Sequence, residues 1–231
     1  MESGNTLQSF MLAQRLGVTG IEIDIYLDYF GDIIVCHPGD DEKYAIKFED
    51  LLDFMETFKD MICLADFKQN STELVEIAGQ MISERNLEER FYMTAFQQKI
   101  DTFTMESDGQ LLLYSKRKFP DIKTHVMAVW PFNLAHTVRK YQVDAISFGW
   151  LQEPEWIRLI GKCLFKSISN VTNFKNQIKK AKTAREAPVK IWAGVFNDPN
   201  DILYFYNIGV DGIVTDSPEM AMKLAENQKI S

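Results

Sequence analysis

The sequence has 231 residues and a formal net charge of −8, and 46% of its residues are hydrophobic, as is usual for a globular protein. The acidic balance argues against nucleic acid as a partner, because phosphate contacts need a basic face, and against an anionic membrane surface. No run approaches the roughly 18 apolar residues of a transmembrane segment, and three scattered cysteines suit neither a disulfide framework nor a zinc site. We therefore expect a cytoplasmic protein.

The chain is predicted to open on a helix that is followed by a β-hairpin. Thr6 is suited to cap the first helix, because its hydroxyl can accept from a backbone N–H of the first turn. Ile21–Leu27 and Asp32–His37 both have strand-like sequences, with a turn signal between them. A turn centred near residue 30 pairs position 24 with position 36 or 37. We therefore expect His37 to return beside Asp24.

Two carboxylates lie on the first strand of this hairpin. Glu22 and Asp24 are two residues apart, so both point to the same face. At the C-terminal end of a barrel strand, that face is the mouth where active sites lie. Two inward carboxylates repel each other, and a hard divalent cation with oxygen ligands relieves the repulsion. The other interpretation is a solvent-facing pair on an edge strand, which the apolar residues Ile21, Ile23 and Ile25 on the opposite face disfavour.

The next strand repeats this arrangement, since its apolar run ends in Asp66 and Lys68. Adjacent barrel strands would bring Asp66 near Glu22 and Asp24 as a third oxygen ligand. Lys68 could then hold an anionic oxygen of a substrate, and the alternative is a structural Asp–Lys pair. His37 can donate or accept a proton near neutral pH, and the alternative is a histidine satisfied by its own turn.

Strand-like and helical segments alternate along the whole chain, which predicts an α/β fold with a parallel sheet and helices outside it. An eight-stranded barrel usually needs about 250 residues, and this chain has one strand too few. We predict a single (β/α)8 (TIM) barrel domain over residues 1–231, N-terminally incomplete, whose first strand lies upstream of Met1. An open doubly wound sheet would need a glycine-rich first turn, which the sequence lacks. The seven strand candidates are Gly20–Ile25, Met61–Phe67, Phe91–Ala95, Lys123–Trp130, Val143–Phe148, Val189–Val195 and Gly212–Thr215.

Several of these segments resemble the glycerophosphodiester phosphodiesterase family. That family's pattern is His-Arg-Gly, a Glu-Asn-Thr helix start, Glu-x-Asp, a hairpin ending in His-Asp, a Glu-x-Lys strand and two closing strands. The similarity spans Asn5 to about Leu224 and is weaker between residues 97 and 188. The segments that carry it are Asn5-Thr6-Leu7-Gln8-Ser9-Phe10, Gly20-Ile21-Glu22-Ile23-Asp24, Gly31–His37, Leu64–Lys68, Val189–Pro199 and Gly209–Pro218.

The resemblance implies a barrel of the phospholipase C-like phosphodiesterase type that hydrolyses a phosphodiester with the help of one Mg²⁺ or Ca²⁺. The implied substrate is a small phosphodiester or a lysophospholipid-like molecule, and a glycerophosphodiester would yield an alcohol and glycerol phosphate. The implied roles are metal ligand for Glu22, Asp24 and Asp66, acid/base catalyst for His37, and substrate contact for Lys68 and Trp192.

Departures from the family pattern bear on activity. The His-Arg-Gly strand is absent, so a partner histidine and a phosphate-binding arginine have no counterpart in this sequence. Gly4 stands in place of a Glu, and Asp66 is one methylene shorter than the Glu it replaces. Pro38 follows His37 in place of Asp, and Trp192 lies two positions early.

Three functions therefore stay open. The first is a phosphodiester hydrolase of this family, and the second is a degenerate barrel that binds a phosphate-containing ligand or a protein. The third is a related phospholipase C- or D-like lipid phosphodiesterase. A lysine-rich segment, residues 169–188, is interpreted as a solvated helix and loop, with a phosphate- or lipid-docking surface as the alternative.

Overall fold

The structure, a computed structural model, describes residues 4–95, 109–128, 133–150 and 154–229. Contacts divide these residues into two compact units. The first contains residues 4–95 and 109–125, and the second contains residues 126–128, 133–150 and 154–229. The single barrel domain over residues 1–231 stays a prediction. Within the described ranges, no helix is both long enough and apolar enough to cross a membrane.

The first unit is built on strands that run β3-β2-β1-β4-β5. The β1/β2 and β2/β3 pairs are antiparallel, whereas β1/β4 and β4/β5 are parallel. The predicted hairpin is confirmed as β1 and β2, and the two-residue strand β3 was not predicted. The elements are α1 Leu7–Arg15, β1 Gly20–Leu27, β2 Ile33–Val35, β3 Ile46–Lys47, α2 Phe48–Thr57, β4 Ile62–Phe67, α3 Thr72–Glu84, β5 Phe91–Ala95 and α4 Gln110–Lys118, with β6 Lys123–Ala128 at the boundary of the two units.

Burial explains why β1 and β4 have different sequence patterns. Along β1, Ile21, Ile23 and Ile25 are buried while the residues between them are partly exposed, so one face packs against helices and the other carries polar groups. β4 is buried along nearly its whole length, which explains its continuous apolar sequence. A charged residue in this strand, Asp66, is therefore enclosed on both sides.

The second unit contains three strands in the order β7-β8-β9, and both neighbouring pairs are parallel. Its core is aromatic, because Phe148, Phe165, Phe196 and Phe205 contact one another and Trp150. These aromatic residues thus form the core of the second unit. The elements are α5 Leu134–Tyr141, β7 Ala145–Phe148, α6 Glu155–Val171, α7 Phe174–Lys182, β8 Lys190–Ala193, α8 Pro199–Ile208, β9 Gly212–Ile213 and α9 Pro218–Lys229.

Each of the seven predicted strands has a counterpart, namely β1, β4, β5, β6, β7, β8 and β9, and the α/β prediction with a mostly parallel sheet is confirmed. Several strands are shorter than predicted, and Trp130 at the predicted end of β6 lies outside the described residues. In the lysine-rich segment, α7 is only half solvated, because Phe174, Ile178 and Ala181 are buried. An additional strand upstream of Met1 stays a prediction.

Candidate functional site

The predicted carboxylates of two neighbouring strands lie side by side in the first unit. Asp24 on β1 and Asp66 on β4 are direct partners in the parallel register, so their side chains point to the same face. Lys68, immediately after β4, bridges them, with its Nζ 2.8 Å from Asp24 Oδ1 and 2.5 Å from Asp66 Oδ2. These three side chains form what we call the acidic cluster.

Glu22 lies on the same face of β1, two residues before Asp24, and is partly exposed. Two residues along a strand correspond to about 7 Å, so Glu22 lies deeper along β1 than the acidic cluster. Its negative charge reaches the neighbouring strand, where burial raises the pKa of the Cys63 thiol well above its usual value and Glu22 adds to that rise. The side chain therefore contributes negative charge beside the acidic cluster.

The hairpin carries His37 towards the same strand end, as predicted. Cys36 N–H donates to Asp24 O at 3.0 Å, which places position 36 opposite position 24. His37 follows at once, is exposed, and lies 3.0 Å through its Nδ1 from Pro38 O. A carbonyl oxygen only accepts, so this contact makes Nδ1 the donor and leaves Nε2 as the ring's acceptor. That arrangement suits a base.

Asn5 was not predicted as a site residue, yet it makes two contacts with Asp24. Its Nδ2 donates to Asp24 Oδ2 at 3.1 Å, and its Oδ1 accepts from the Asp24 backbone N–H at 3.1 Å. Asn5 has a φ of 58°, a conformation that asparagine tolerates better than most residues. Thr6 then caps α1 in a reciprocal capping box with Ser9, which confirms the predicted cap. The helix start thus orients a carboxylate on β1.

Burial and neighbouring charges have opposite effects on the pKa values of the acidic cluster. Burial raises the pKa of Asp66, Lys68 lowers it, Asp24 raises it and His37 lowers it, and the net direction is upward. Burial lowers the pKa of Lys68, but its two carboxylate partners outweigh this and hold it above the usual value. His37 thus lies close enough to Asp66 to interact with it electrostatically. The cluster keeps one ammonium shared between two carboxylates.

The polar atoms of the cluster allow a test of whether a cation fits. Asp66 is 2% exposed, and its Oδ1 has no hydrogen-bond partner among the described residues. A buried carboxylate oxygen without a donor is costly, and a hard cation is a suitable partner for it. Nevertheless, the described ranges contain no group of three or more His, Cys, Asp or Glu side chains placed to hold a metal ion. Two carboxylates are brought together, and Lys68 lies between them.

Trp192, the predicted substrate contact, lies on β8 in the second unit and is 8% exposed. A Cβ on Gly212, its partner on β9, would lie 2.9 Å from Trp192 Cδ1. The glycine therefore makes room for the indole ring. Packing against β9 accounts for the buried side of Trp192, and its contact with a substrate stays a prediction.

A second polar group, also missed by the sequence analysis, joins the loops after β8 and β9. Asn197 Oδ1 accepts from Thr215 Oγ1 and from Asp216 N–H, both at 2.9 Å, and its Nδ2 donates to Asp216 Oδ2 at 2.8 Å. These three residues lie in the two closing segments of the family resemblance, Val189–Pro199 and Gly209–Pro218, so the sequence did contain a signal for them. This network fixes the two loops to each other.

No family model matches the sequence, and no curated protein matches it either. Solved structures do match. A candidate glycerophosphoryl diester phosphodiesterase from Silicibacter pomeroyi is 16% identical with a TM-score of 0.72, over 97% of this chain and 89% of that one. A glycerophosphodiester phosphodiesterase from Parabacteroides distasonis is 17% identical with a TM-score of 0.69, over 97% and 91%.

A third match is a phosphodiesterase from Oleispira antarctica whose structure contains the product sn-glycerol-3-phosphate. It is 16% identical with a TM-score of 0.64, over 96% of this chain and 91% of that one. At such identities the likeness establishes the fold alone. The resemblance inferred from the motifs is therefore confirmed as a likeness of fold over nearly the whole chain.

Proposed function

We propose that this protein hydrolyses a phosphodiester of the glycerophosphodiester class at the acidic cluster and His37. The observation that carries the proposal is the pairing of Asp24 with Asp66 on adjacent strands, bridged by Lys68, with His37 brought back to the same strand end. Support comes from the fold that the chain shares with a glycerophosphodiester phosphodiesterase and with a phosphodiesterase whose structure contains the product sn-glycerol-3-phosphate.

The residues have distinct roles in this proposal. Hydrolysis forms one bond between phosphorus and a water oxygen, breaks the bond to the leaving alcohol, and moves one proton at each step. His37, with Nε2 as its acceptor, takes the proton of the attacking oxygen or returns one to the leaving alcohol. Lys68 offers an ammonium to the phosphate oxygens when it turns away from one carboxylate. Asn5 holds Asp24 in position.

We further propose that one Mg²⁺ or Ca²⁺ binds at the carboxylates Asp24 and Asp66, with Glu22 as the third ligand. The donor chemistry fits, since these cations take carboxylate oxygens and Asp66 Oδ1 has no partner among the described residues. When bound, such an ion would polarise the phosphodiester and neutralise developing negative charge.

A second candidate function is non-catalytic binding of a phosphate-containing ligand. It is favoured by the ion pairs that Lys68 makes with both carboxylates, which tie up oxygens that a cation would need. A phosphomonoester could still exchange for one of these carboxylates at the ammonium. On this account, the protein would bind glycerol phosphate without turning over any diester.

The test is hydrolysis of bis-p-nitrophenyl phosphate by the purified protein, with Mg²⁺, with Ca²⁺ and with a chelator. We expect metal-stimulated turnover that falls by about 100-fold or more in Asp24→Asn and in His37→Ala. The matched controls are Asp28→Asn on the hairpin, at a partly exposed position, and His136→Ala on α5, at an exposed one, and both should keep the rate of the original protein.

Two results would overturn the proposal in different ways. Equal rates in Asp24→Asn, His37→Ala and the unaltered protein would contradict the assignment of the catalytic site to the acidic cluster and His37. Activity that a chelator does not affect would contradict the proposed role of a divalent cation. Calorimetric binding of sn-glycerol 3-phosphate that needs Lys68, in a protein that hydrolyses no diester, would favour the second candidate function.

A further inference from the structure

Helix α6 exposes an unusually apolar side. Five large apolar residues spaced by three, four or seven positions share one side of a helix with 3.6 residues per turn. Each of them is at least half exposed, from 50% for Leu159 to 88% for Val171. They are Trp156, Leu159, Ile160, Leu164 and Val171. We call this surface the α6 stripe, and it also includes the exposed thiol of Cys163.

The stripe contains no charged residue, although α6 has four. Arg158, Lys162 and Lys166, spaced by four, form the neighbouring row along the helix. Two of them are fixed in place by a buried carboxylate, since the Nζ atoms of Lys162 and Lys166 lie 2.7 and 3.5 Å from Asp201 Oδ1. An uncharged stripe of Trp, Leu and Ile beside a basic row is the pattern of a helix that lies in a membrane interface.

The basic character continues beyond α6. From residue 158 to residue 190, nine residues are Lys or Arg and one is acidic, so this segment has a net charge of +8 in a chain of −8. Lys175, Lys179 and Lys180 on α7 are exposed, and none of them forms an ion pair with any residue in the described ranges. Three unneutralised ammonium groups next to the stripe-bearing helix favour an anionic partner.

We propose that α6 and α7 dock on the surface of an anionic lipid bilayer. The α6 stripe inserts at the boundary between headgroups and acyl chains, and the α7 lysines bind lipid phosphates and carboxylates. Charge complementarity selects this occupant, since a second copy of the chain would bring the same +8 segment against itself. The rest of the chain has a net charge of −16, so the overall charge of −8 conceals a local basic surface.

The test uses sedimentation with two kinds of vesicle, phosphatidylcholine alone and an equimolar mixture of phosphatidylcholine and phosphatidylserine. We expect the protein to sediment with the anionic vesicles only, and to be released partly by high salt. Emission of the exposed Trp156 should shift to shorter wavelength on binding, and Trp156→Phe should abolish the shift. This fluorescence reading uses the protein with its stripe otherwise intact.

Two double variants separate the contributions. Ile160→Ser/Leu164→Ser and Lys175→Glu/Lys179→Glu should each lower the vesicle partition coefficient by about tenfold or more. Each has a matched control at exposed positions elsewhere. The apolar control is Leu12→Ser/Tyr206→Ser and the charge control is Lys47→Glu/Lys59→Glu, and both should bind as the original protein does.

Three outcomes would overturn the inference. The first is no binding of the original protein to anionic vesicles, and the second is equal losses in the variants and their controls. The third is a dimer, seen by light scattering, that Ile160→Ser/Leu164→Ser converts to a monomer, since the stripe would then be covered by a second copy. None of these readings depends on phosphodiester hydrolysis.

Discussion

Replacing Lys68 by methionine should destabilise the protein strongly, because the change leaves two carboxylates without their shared cation. Breaking a buried pair costs about 3–5 kcal/mol, and we expect about 2–4 here because Lys68 is 23% and Asp24 14% exposed. At about 2–4 °C per kcal/mol for a protein of this size, the melting temperature should fall by roughly 5–15 °C. Thermal unfolding followed by circular dichroism at neutral pH measures this directly.

The loss should depend on pH and on cations. Burial already raises the pKa of Asp66, and removing Lys68 should raise it further. A carboxyl group whose pKa is higher in the folded than in the unfolded chain makes the folded protein less stable as pH rises through that pKa. The deficit of Lys68→Met should therefore be largest at neutral pH and shrink on acidification towards pH ~4. Millimolar Ca²⁺ should raise the melting temperature of Lys68→Met more than that of the unaltered protein, since the ion replaces the ammonium.

The control is Lys43→Met, which removes an ion pair of Lys43 with Asp41 in which both side chains are more than half exposed. Exposed pairs contribute little, so this variant should keep the melting temperature of the original protein. A melting temperature of Lys68→Met within about 1 °C of the original would refute the reasoning, because the acidic cluster would then have no energetic importance.

Two further predictions concern His125 and Asn5. Burial lowers the pKa of His125 to about 3. The unfolded chain therefore binds a proton at this histidine near pH 6.5, whereas the folded chain stays unprotonated there. The free energy of unfolding should then fall by up to about 1.4 kcal/mol per pH unit as pH drops below that value. Denaturant titrations should show a smaller slope in His125→Phe than in the control His136→Gln, and equal slopes would contradict this. Asn5→Ala removes both contacts with Asp24 and should cost about 1–3 kcal/mol by urea unfolding, and an unchanged midpoint would argue against the contacts.

Much of the first unit could be predicted because local patterns determine it. The alternation of Ile21, Ile23 and Ile25 with polar residues fixed the faces of β1, and the turn near residue 30 fixed the hairpin register to within one residue. The usual adjacency of strands in a βαβ unit then predicted Asp66 near Asp24, and the structure makes the two residues direct partners. These inferences required only a period of two and the usual adjacency of consecutive parallel strands.

Other features could not be predicted, because they depend on distances in three dimensions. The sequence left Lys68 with two interpretations, a contact to a phosphate or a structural pair with Asp66. The structure pairs its ammonium with both carboxylates, a choice between partners that spacing does not reveal. Asn5 was identified as part of a helix start, but its contacts with Asp24 span 19 positions. The strand β3 is two residues long, too short for any periodicity.

The most direct test of the central claim follows the phosphorus of glycerophosphocholine by NMR in the presence of Mg²⁺ or Ca²⁺. We predict that the diester signal is replaced by the signal of glycerol phosphate as choline is released, and that Asp24→Asn abolishes the conversion. A diester signal that persists unchanged over days with the folded protein and either cation, or a conversion that Asp24→Asn leaves at full rate, would contradict the account.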